Sequence, residues 1–240
     1  PFNPSIFTPG DASAYELADY WRNKWQFGIY GQAQTIVNEF LLLKVGARWD
    51  KVSIDSGSDD SRIIITKDQL DDTHFSWNAG IMLLNDYGIS PYVNYSEAFF
   101  ANASLAYAGF DNKYLYGLTE PTNTKQIEYG LKLTPNWLDG FVNIAFFNLK
   151  QDNAMTPSLV NGAPAWTPVS VQKANGIEVQ ARASVFKHLT FDVSYTYLDK
   201  TDGDDEVRTV MTPKHMASGW VSYNFADLGL SGLTLGAGVR

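Results

Sequence analysis

Apolar and polar residues alternate along most of this chain, and almost nowhere do apolar positions recur at helical spacing. Alternation predicts half-buried strands, and it recurs about ten times. From Lys24 to Val37, Trp25, Phe27, Ile29, Ala33 and Val37 share one face, with Gln26, Gln32 and Gln34 on the other. After a tight turn at Asn38-Glu39, Leu41, Leu43, Val45, Ala47 and Trp49 lie on one side, opposite Lys44 and Arg48. Phe75 to Leu84 sets Phe75, Trp77, Ala79, Ile81 and Leu83 against Ser76, Asn78 and Gly80. Further strands are expected at Ile89 to Phe99, Ile127 to Leu133, Ile177 to Val185, Leu189 to Tyr197, His215 to Phe225 and Leu233 to Arg240. Phe141 to Lys150 also reads as a strand, with its facing left open.

The connections carry a second pattern. Short turns (Asn38-Glu39, Asn85 to Gly88, Pro135 to Gly140, Phe186 to His188, Ala226 to Gly232) alternate with long polar ones (Lys51 to His74, Phe100 to Thr124, Gln151 to Gln172, Lys200 to Thr212). All long loops therefore fall at one end of an up-and-down meander, the asymmetry of an outer-membrane barrel. A soluble ligand-binding β-sandwich alternates too, because one face of each sheet meets water. Strands of about 9–11 residues favour the barrel, since that is the length a tilted strand needs to cross hydrocarbon. So do aromatics gathered near strand ends (Trp25, Trp49, Phe75, Trp77, Tyr95, Trp137, Tyr197, Tyr223) and charges in mid-strand on the polar face.

Composition narrows the function. With 240 residues and a net charge of −8, the chain lacks the basic face of a nucleic-acid binder. It has no cysteine, so disulfide and thiol chemistry are excluded. No apolar stretch reaches the ~18 residues of a spanning helix, which leaves a barrel open. Pro1 is not an initiator methionine and Arg240 falls in mid-strand, so the chain reads as a piece of something longer.

Six stretches point to a family. They are SPYVNYSEAFF (Ser90 to Phe100), TKQIEYGLK (Thr124 to Lys132), NGIEVQARA (Asn175 to Ala183), VSYTYLD (Val193 to Asp199), TPKHMASGWVSYNF (Thr212 to Phe225) and LSGLTLGAGVR (Leu230 to Arg240). In this order they resemble successive strands of the TonB-dependent siderophore receptors, most of all the ferrichrome and ferrioxamine (hydroxamate) branch. The resemblance implies an all-β, antiparallel transmembrane barrel of 22 strands in a Gram-negative outer membrane. Residues 1–240 would supply about ten strands of that barrel domain, with the N-terminal plug and the last strands outside them. It implies import of an iron(III)–siderophore chelate, with TonB acting through the plug, lipid and lipopolysaccharide around a monomeric barrel, and no enzyme activity.

A chelate with its coordination already filled asks for no protein metal ligand or cofactor. His74, His188 and His215 stand far apart in sequence, and no metal site is expected from them. What such a receptor needs is an external cavity lined by aromatics and a few donors. Candidate siderophore contacts at the long-loop end are Phe75 first, then Phe2, Trp49, Phe99, Phe100, Tyr107 and Trp166. Strand phase sets Phe75 in the lipid-facing row, so a girdle role competes with a ligand role. Arg48, Glu128, Lys132, Glu178, Arg182 and Asp192 are expected to face the lumen and the plug through weak, rearrangeable polar contacts. Acidic clusters (Asp55, Asp59, Asp60, Asp68, Asp71, Asp72; Asp199, Asp202, Asp204, Asp205, Glu206) read as solvated loops, with divalent ions bridging to lipopolysaccharide as an alternative. A rim-site outer-membrane protease is the other reading; Asp71, Asp72 and His74 have the residue types, but no second Asp/His rim partner is evident.

Overall fold

The computed structural model describes residues 21–59, 63–101, 109–110, 113–160, 163–203, 207–208 and 212–240. Its strands are β1 (Trp21–Val37), β2 (Leu41–Gly57), β3 (Ile63–Lys67), β4 (Gln69–Leu83), β5 (Ile89–Phe100), β6 (Gly109–Phe110) and β7 (Lys113–Gly117). They continue as β8 (Thr122–Leu133), β9 (Asp139–Val160), β10 (Ala163–Val185), β11 (Leu189–Asp202), β12 (Val207–Arg208), β13 (His215–Asn224) and β14 (Thr234–Val239). Ten of them form one antiparallel meander in the order β1-β2-β4-β5-β8-β9-β10-β11-β13-β14, with β12 paired to β11. This path matches the ten strands that alternation predicts. A β-sandwich would need two stacked sheets; here the long strands share a single one.

Register confirms which residues share a face. Ile29 pairs with Trp49 and Trp49 with Phe75. Tyr95 pairs with both Ala79 and Ile127. The open strand now has a facing: Val142, Ile144 and Phe146 align with Leu133, Leu131 and Tyr129 on the apolar face, and Tyr129 stacks on Phe146 at 5.4 Å. Asn143 and Phe147 align with Lys132 and Glu128 on the polar face. The apolar face is the lipid side, and the polar face is the inner wall.

Short turns are encoded locally. Asn38 and Glu39 have φ of 49° and 64°, and Phe186 and Lys187 have 54° and 64°. Two successive positive φ values make the tight reversal whose twist matches the flanking strands. Asn85 builds the next turn by accepting the Tyr87 and Ile89 backbone N–H groups at 3.0 and 3.2 Å.

The long connections differ from expectation. The strands do not stop at 9–11 residues; β9 has 22 residues and β10 has 23. Much of Lys51 to His74 and Gln151 to Gln172 is therefore ladder rather than loop. Backbone pairing persists above the membrane, where hydrocarbon no longer demands an apolar outer face and the outward positions turn polar. A second sheet lies at this end: β3 pairs in parallel with β7, and β7 pairs with β6. It ties the connection after β2 to the one after β5. Nearby, Val52, Ile54, Leu70, Ala101 and Leu118 form a buried apolar cluster, with Phe99 packed against it.

Candidate functional site

The inner face of β1 and β2 changes character along its length. On β2, Lys44, Arg48, Asp50, Val52, Ile54 and Ser56 fall on one side by strand phase. Ascending from the membrane, that row passes from charge to a closed ion pair and then to the apolar cluster. Arg48 donates from Nε to Asp50 Oδ2 at 2.6 Å and from Nη2 to Oδ1 at 2.7 Å. Gln26 adds a donor to Oδ1 at 3.2 Å. The Asp50 side chain is only 3% exposed against 46% for Arg48, so the carboxylate is fixed and the guanidinium keeps an open side. A forked contact of this kind orients a charge as well as stabilising it. Glycine makes the room: a Cβ on Gly28 would stand 2.4 Å from Arg48 Nη2 and 2.6 Å from Asp50 Oδ1.

Around this pair the external rim assembles from distant segments. His74 is opposite Asp50 in register, and its ring stacks on Phe99 at 4.6 Å. Lys24 lies two residues above Gln26 on the same side of β1; its Nζ donates to the Ala101 carbonyl at 3.1 Å. The same Nζ stands 5.6 Å over the ring of Phe100, which is 61% exposed. The result is a continuous strip of Phe100, Lys24, Gln26, Asp50, Arg48, His74 and Phe99. It offers aromatic faces and cationic donors, the equipment for a compact ligand rich in oxygen acceptors.

Of the sequence candidates, Phe99 and Phe100 are in this strip. Trp49 and Phe75 pair with each other on the opposite, lipid-side face, where Phe75 is 59% exposed. Trp166 pairs with Pro157 in the β9–β10 extension. Phe2 and Tyr107 lie outside the described residues, as do Asp60, Asp204, Asp205 and Glu206. Sequence reasoning missed Lys24, Gln26 and Asp50. Asp50 had a usable signal, since it continues the phase of Arg48. The Lys24 to Ala101 contact spans 77 positions and leaves no local trace.

Lower on the wall, Glu128 accepts from the Tyr92 hydroxyl at 2.7 Å and from Gln126 at 3.2 Å, and Lys132 Nζ stands 5.3 Å over the Tyr92 ring. Arg182 is directly opposite Asp192 in register, and Glu178 is opposite Thr196. Large side chains lie down over glycines in the facing strand: Asn78 over Gly46, Tyr92 over Gly130, Phe147 over Gly176 and Trp220 over Gly238. That keeps the inner wall low in relief. Asn78 and Asn143 each hold a buried amide oxygen without a partner among the described residues.

The acidic clusters are partly used in the fold. Asp199 pairs with Lys214 at 2.9 Å, and Asp202 accepts from Gln172 and Thr156. Among the described residues no three His, Asp or Glu side chains converge to hold a metal ion. His215 instead meets the Tyr195 hydroxyl at 2.9 Å.

Known proteins give the arrangement its context. The family model described as TonB dependent receptor-like, beta-barrel matches residues 2–240. The ferrichrome outer membrane transporter/phage receptor of Escherichia coli K12 is 32% identical over 97% of this chain. The ferrioxamine receptor of Yersinia enterocolitica is 27% identical over 98%. The chain spans 30% and 31% of those two relatives. Among solved structures, the ferripyoverdine receptor of the Pseudomonas aeruginosa outer membrane superposes with a TM-score of 0.68 at 21% identity, over 90% of this chain and 28% of that one. The Bordetella pertussis alcaligin receptor gives 0.65 at 21%, over 92% and 37%. The family consists of transporters and receptors rather than enzymes, which removes the protease reading. Single-sheet meander, lipid-side aromatics, polar inner wall and family match converge: this chain belongs to the TonB-dependent receptor β-barrel family of the Gram-negative outer membrane.

Proposed function

We propose that the receptor containing this wall imports a ferric hydroxamate-type siderophore, and that the strip from Phe100 to Arg48 contributes to its external binding surface. The observation that carries the reading is the match along nearly the whole chain to a ferrichrome transporter, joined to a rim strip of suitable chemistry. A ferric trihydroxamate is compact and already coordinated, so it is held by shape and by donors to its oxygens. Phe99 and Phe100 supply rings; Lys24 and the open side of Arg48 supply donors. Trp49 and Phe75 are better placed as girdle residues, by their strand phase.

The inner wall is the seat of the plug in this reading. Glu128, Lys132, Glu178, Arg182 and Asp192 meet it through wet polar contacts, which are individually weak and rearrange when TonB pulls, while Arg48, higher on the same face, belongs to the rim strip. The flattened glycine rows and the unpartnered oxygens of Asn78 and Asn143 support this. The test is uptake of radiolabelled iron as ferrichrome or ferrioxamine by cells whose sole siderophore receptor is the full-length protein. Uptake that requires TonB, and falls when Phe100 and Lys24 are both changed to alanine, is expected. Uptake of neither chelate would sink the proposal.

A further inference from the structure

At the short-turn end, two turns enclose a groove of about 450 Å³ on the lipid side. Its floor is one cross-strand row, Ile89 paired with Leu133 and Leu133 with Val142, in the apolar phase of β5, β8 and β9. Its walls are Tyr87 on one turn and Trp137 on the other, 79% and 84% exposed. The volume is that of a small-ligand site, roughly 300–1,000 Å³.

The turns that carry these walls are tied before any ligand arrives. The Asn85 side chain holds the Tyr87 turn, and the Thr134 N–H donates to the Gly88 carbonyl at 2.7 Å, joining the two turns. Gly88, at φ +69°, sits so close to the second turn that a Cβ there would stand 2.3 Å from the Thr134 oxygen. Leu138 N–H closes the second turn onto the Pro135 carbonyl at 2.9 Å.

We propose that this groove is a binding site for one phospholipid of the periplasmic leaflet, and that it selects an ammonium-bearing, zwitterionic headgroup over an anionic one. Hydrocarbon burial gives no preference here, because the competing bilayer is equally apolar. Retention comes from the Tyr87 and Trp137 rings, carried on two tied turns at headgroup depth, where such rings partition. Selection comes from charge. Asp86 lines the groove beside Tyr87, Asp139 closes the Trp137 turn, and the two flanking short turns carry Glu39 on one side and Lys187 on the other. A primary ammonium is matched to that field, and a phosphatidylglycerol headgroup is repelled by it. The site rests on the barrel assignment alone and is independent of which chelate the receptor carries.

The test is native mass spectrometry of the delipidated full-length receptor, titrated with phosphatidylethanolamine and phosphatidylglycerol of identical acyl chains. One phosphatidylethanolamine is expected to be retained several-fold more strongly than phosphatidylglycerol. The Tyr87→Ala/Trp137→Ala pair should abolish that retention, and Asp86→Lys should invert the headgroup order. Tyr129→Ala, on the lipid face away from the groove, should change nothing. Equal retention of the two headgroups, an unchanged order in Asp86→Lys, or equal loss in Tyr129→Ala would overturn the assignment.

Discussion

The two ends of the meander are built on different principles. At the short-turn end each reversal is made by a few adjacent residues: Asn38-Glu39 and Phe186-Lys187 with paired positive φ, Asn85 gripping its own turn, Gly88 with its left-handed φ. At the long-loop end almost nothing is local. Ile54 shares one buried cluster with Leu118, Lys24 reaches Ala101, and β3 lies beside β7 some fifty residues later in the chain. The first end sets strand register cheaply. The second uses long-range contacts to hold a surface in shape, and the strip proposed to meet the chelate is there. Two sets of contacts this separate are expected to fail separately: damage to the rim should spare the wall, and damage to the wall should spare the rim.

The largest effect is expected from Ile54→Asp. It places a carboxylate at a completely buried position among Val52, Leu70, Ala101 and Leu118, a change of the kind that costs more than about 4 kcal/mol. Limited proteolysis of the full-length receptor in cells should then cut the external connections, and siderophore uptake should drop at least about tenfold, the equivalent of ~1.4 kcal/mol. The barrel should still insert and keep its folded mobility on a gel. Loss of the barrel itself would show that the two ends are coupled.

Gly130→Val attacks the wall instead. A Cβ there would stand 2.2 Å from the Ile144 carbonyl oxygen and 2.9 Å from the Tyr92 ring, and overpacking of this sort costs about 1–3 kcal/mol. Lower denaturant resistance of the whole barrel is expected, with siderophore affinity of the surviving folded fraction unchanged. A loss of affinity without a loss of stability would contradict the division.

Asp50→Asn acts on the rim strip. It removes the anchor of Arg48 while keeping shape, with a cost of about 1–3 kcal/mol at a buried acceptor. Binding titrations should show weaker chelate affinity and an altered salt dependence, with little change in barrel unfolding. Unaltered affinity would take Arg48 out of the binding surface.

The smallest effect is expected from Glu39→Gly. Relieving a non-glycine residue at φ 64° recovers up to about 1 kcal/mol, partly offset by the greater freedom of glycine in the unfolded chain. Unfolding of the full-length barrel should shift slightly upward and uptake should not move. Destabilisation would show that the Glu39 side chain contributes more than its backbone strain costs.

Legibility in the sequence followed the same divide. Period-two alternation exposes ten strands and their lipid side, and Gly, Asn or Pro marks every short turn except Phe186 to His188. Strand phase alone kept Phe75 and Trp49 in the girdle row, and the register agrees. The inner-wall phase of Arg48, Glu128 and Arg182 was equally readable. Strand length was not, because β9 and β10 continue above the membrane where no apolar face is demanded and only backbone pairing marks the strand. Nor was the rim site: Phe99 and Phe100 were visible as aromatics, but their partners His74 and Lys24 were not.

The strand pattern, the two faces and the ends at which the chain turns tightly are all written in the order of residues. These depend on side-chain period and on the φ preferences of neighbouring residues, both local quantities. How far the ladders extend, how β3 and β7 brace the long connections, and which cation stands over which ring emerge only in the folded chain. Those are fixed by contacts between residues tens of positions apart, and such contacts leave no period in the chain for a reader to find.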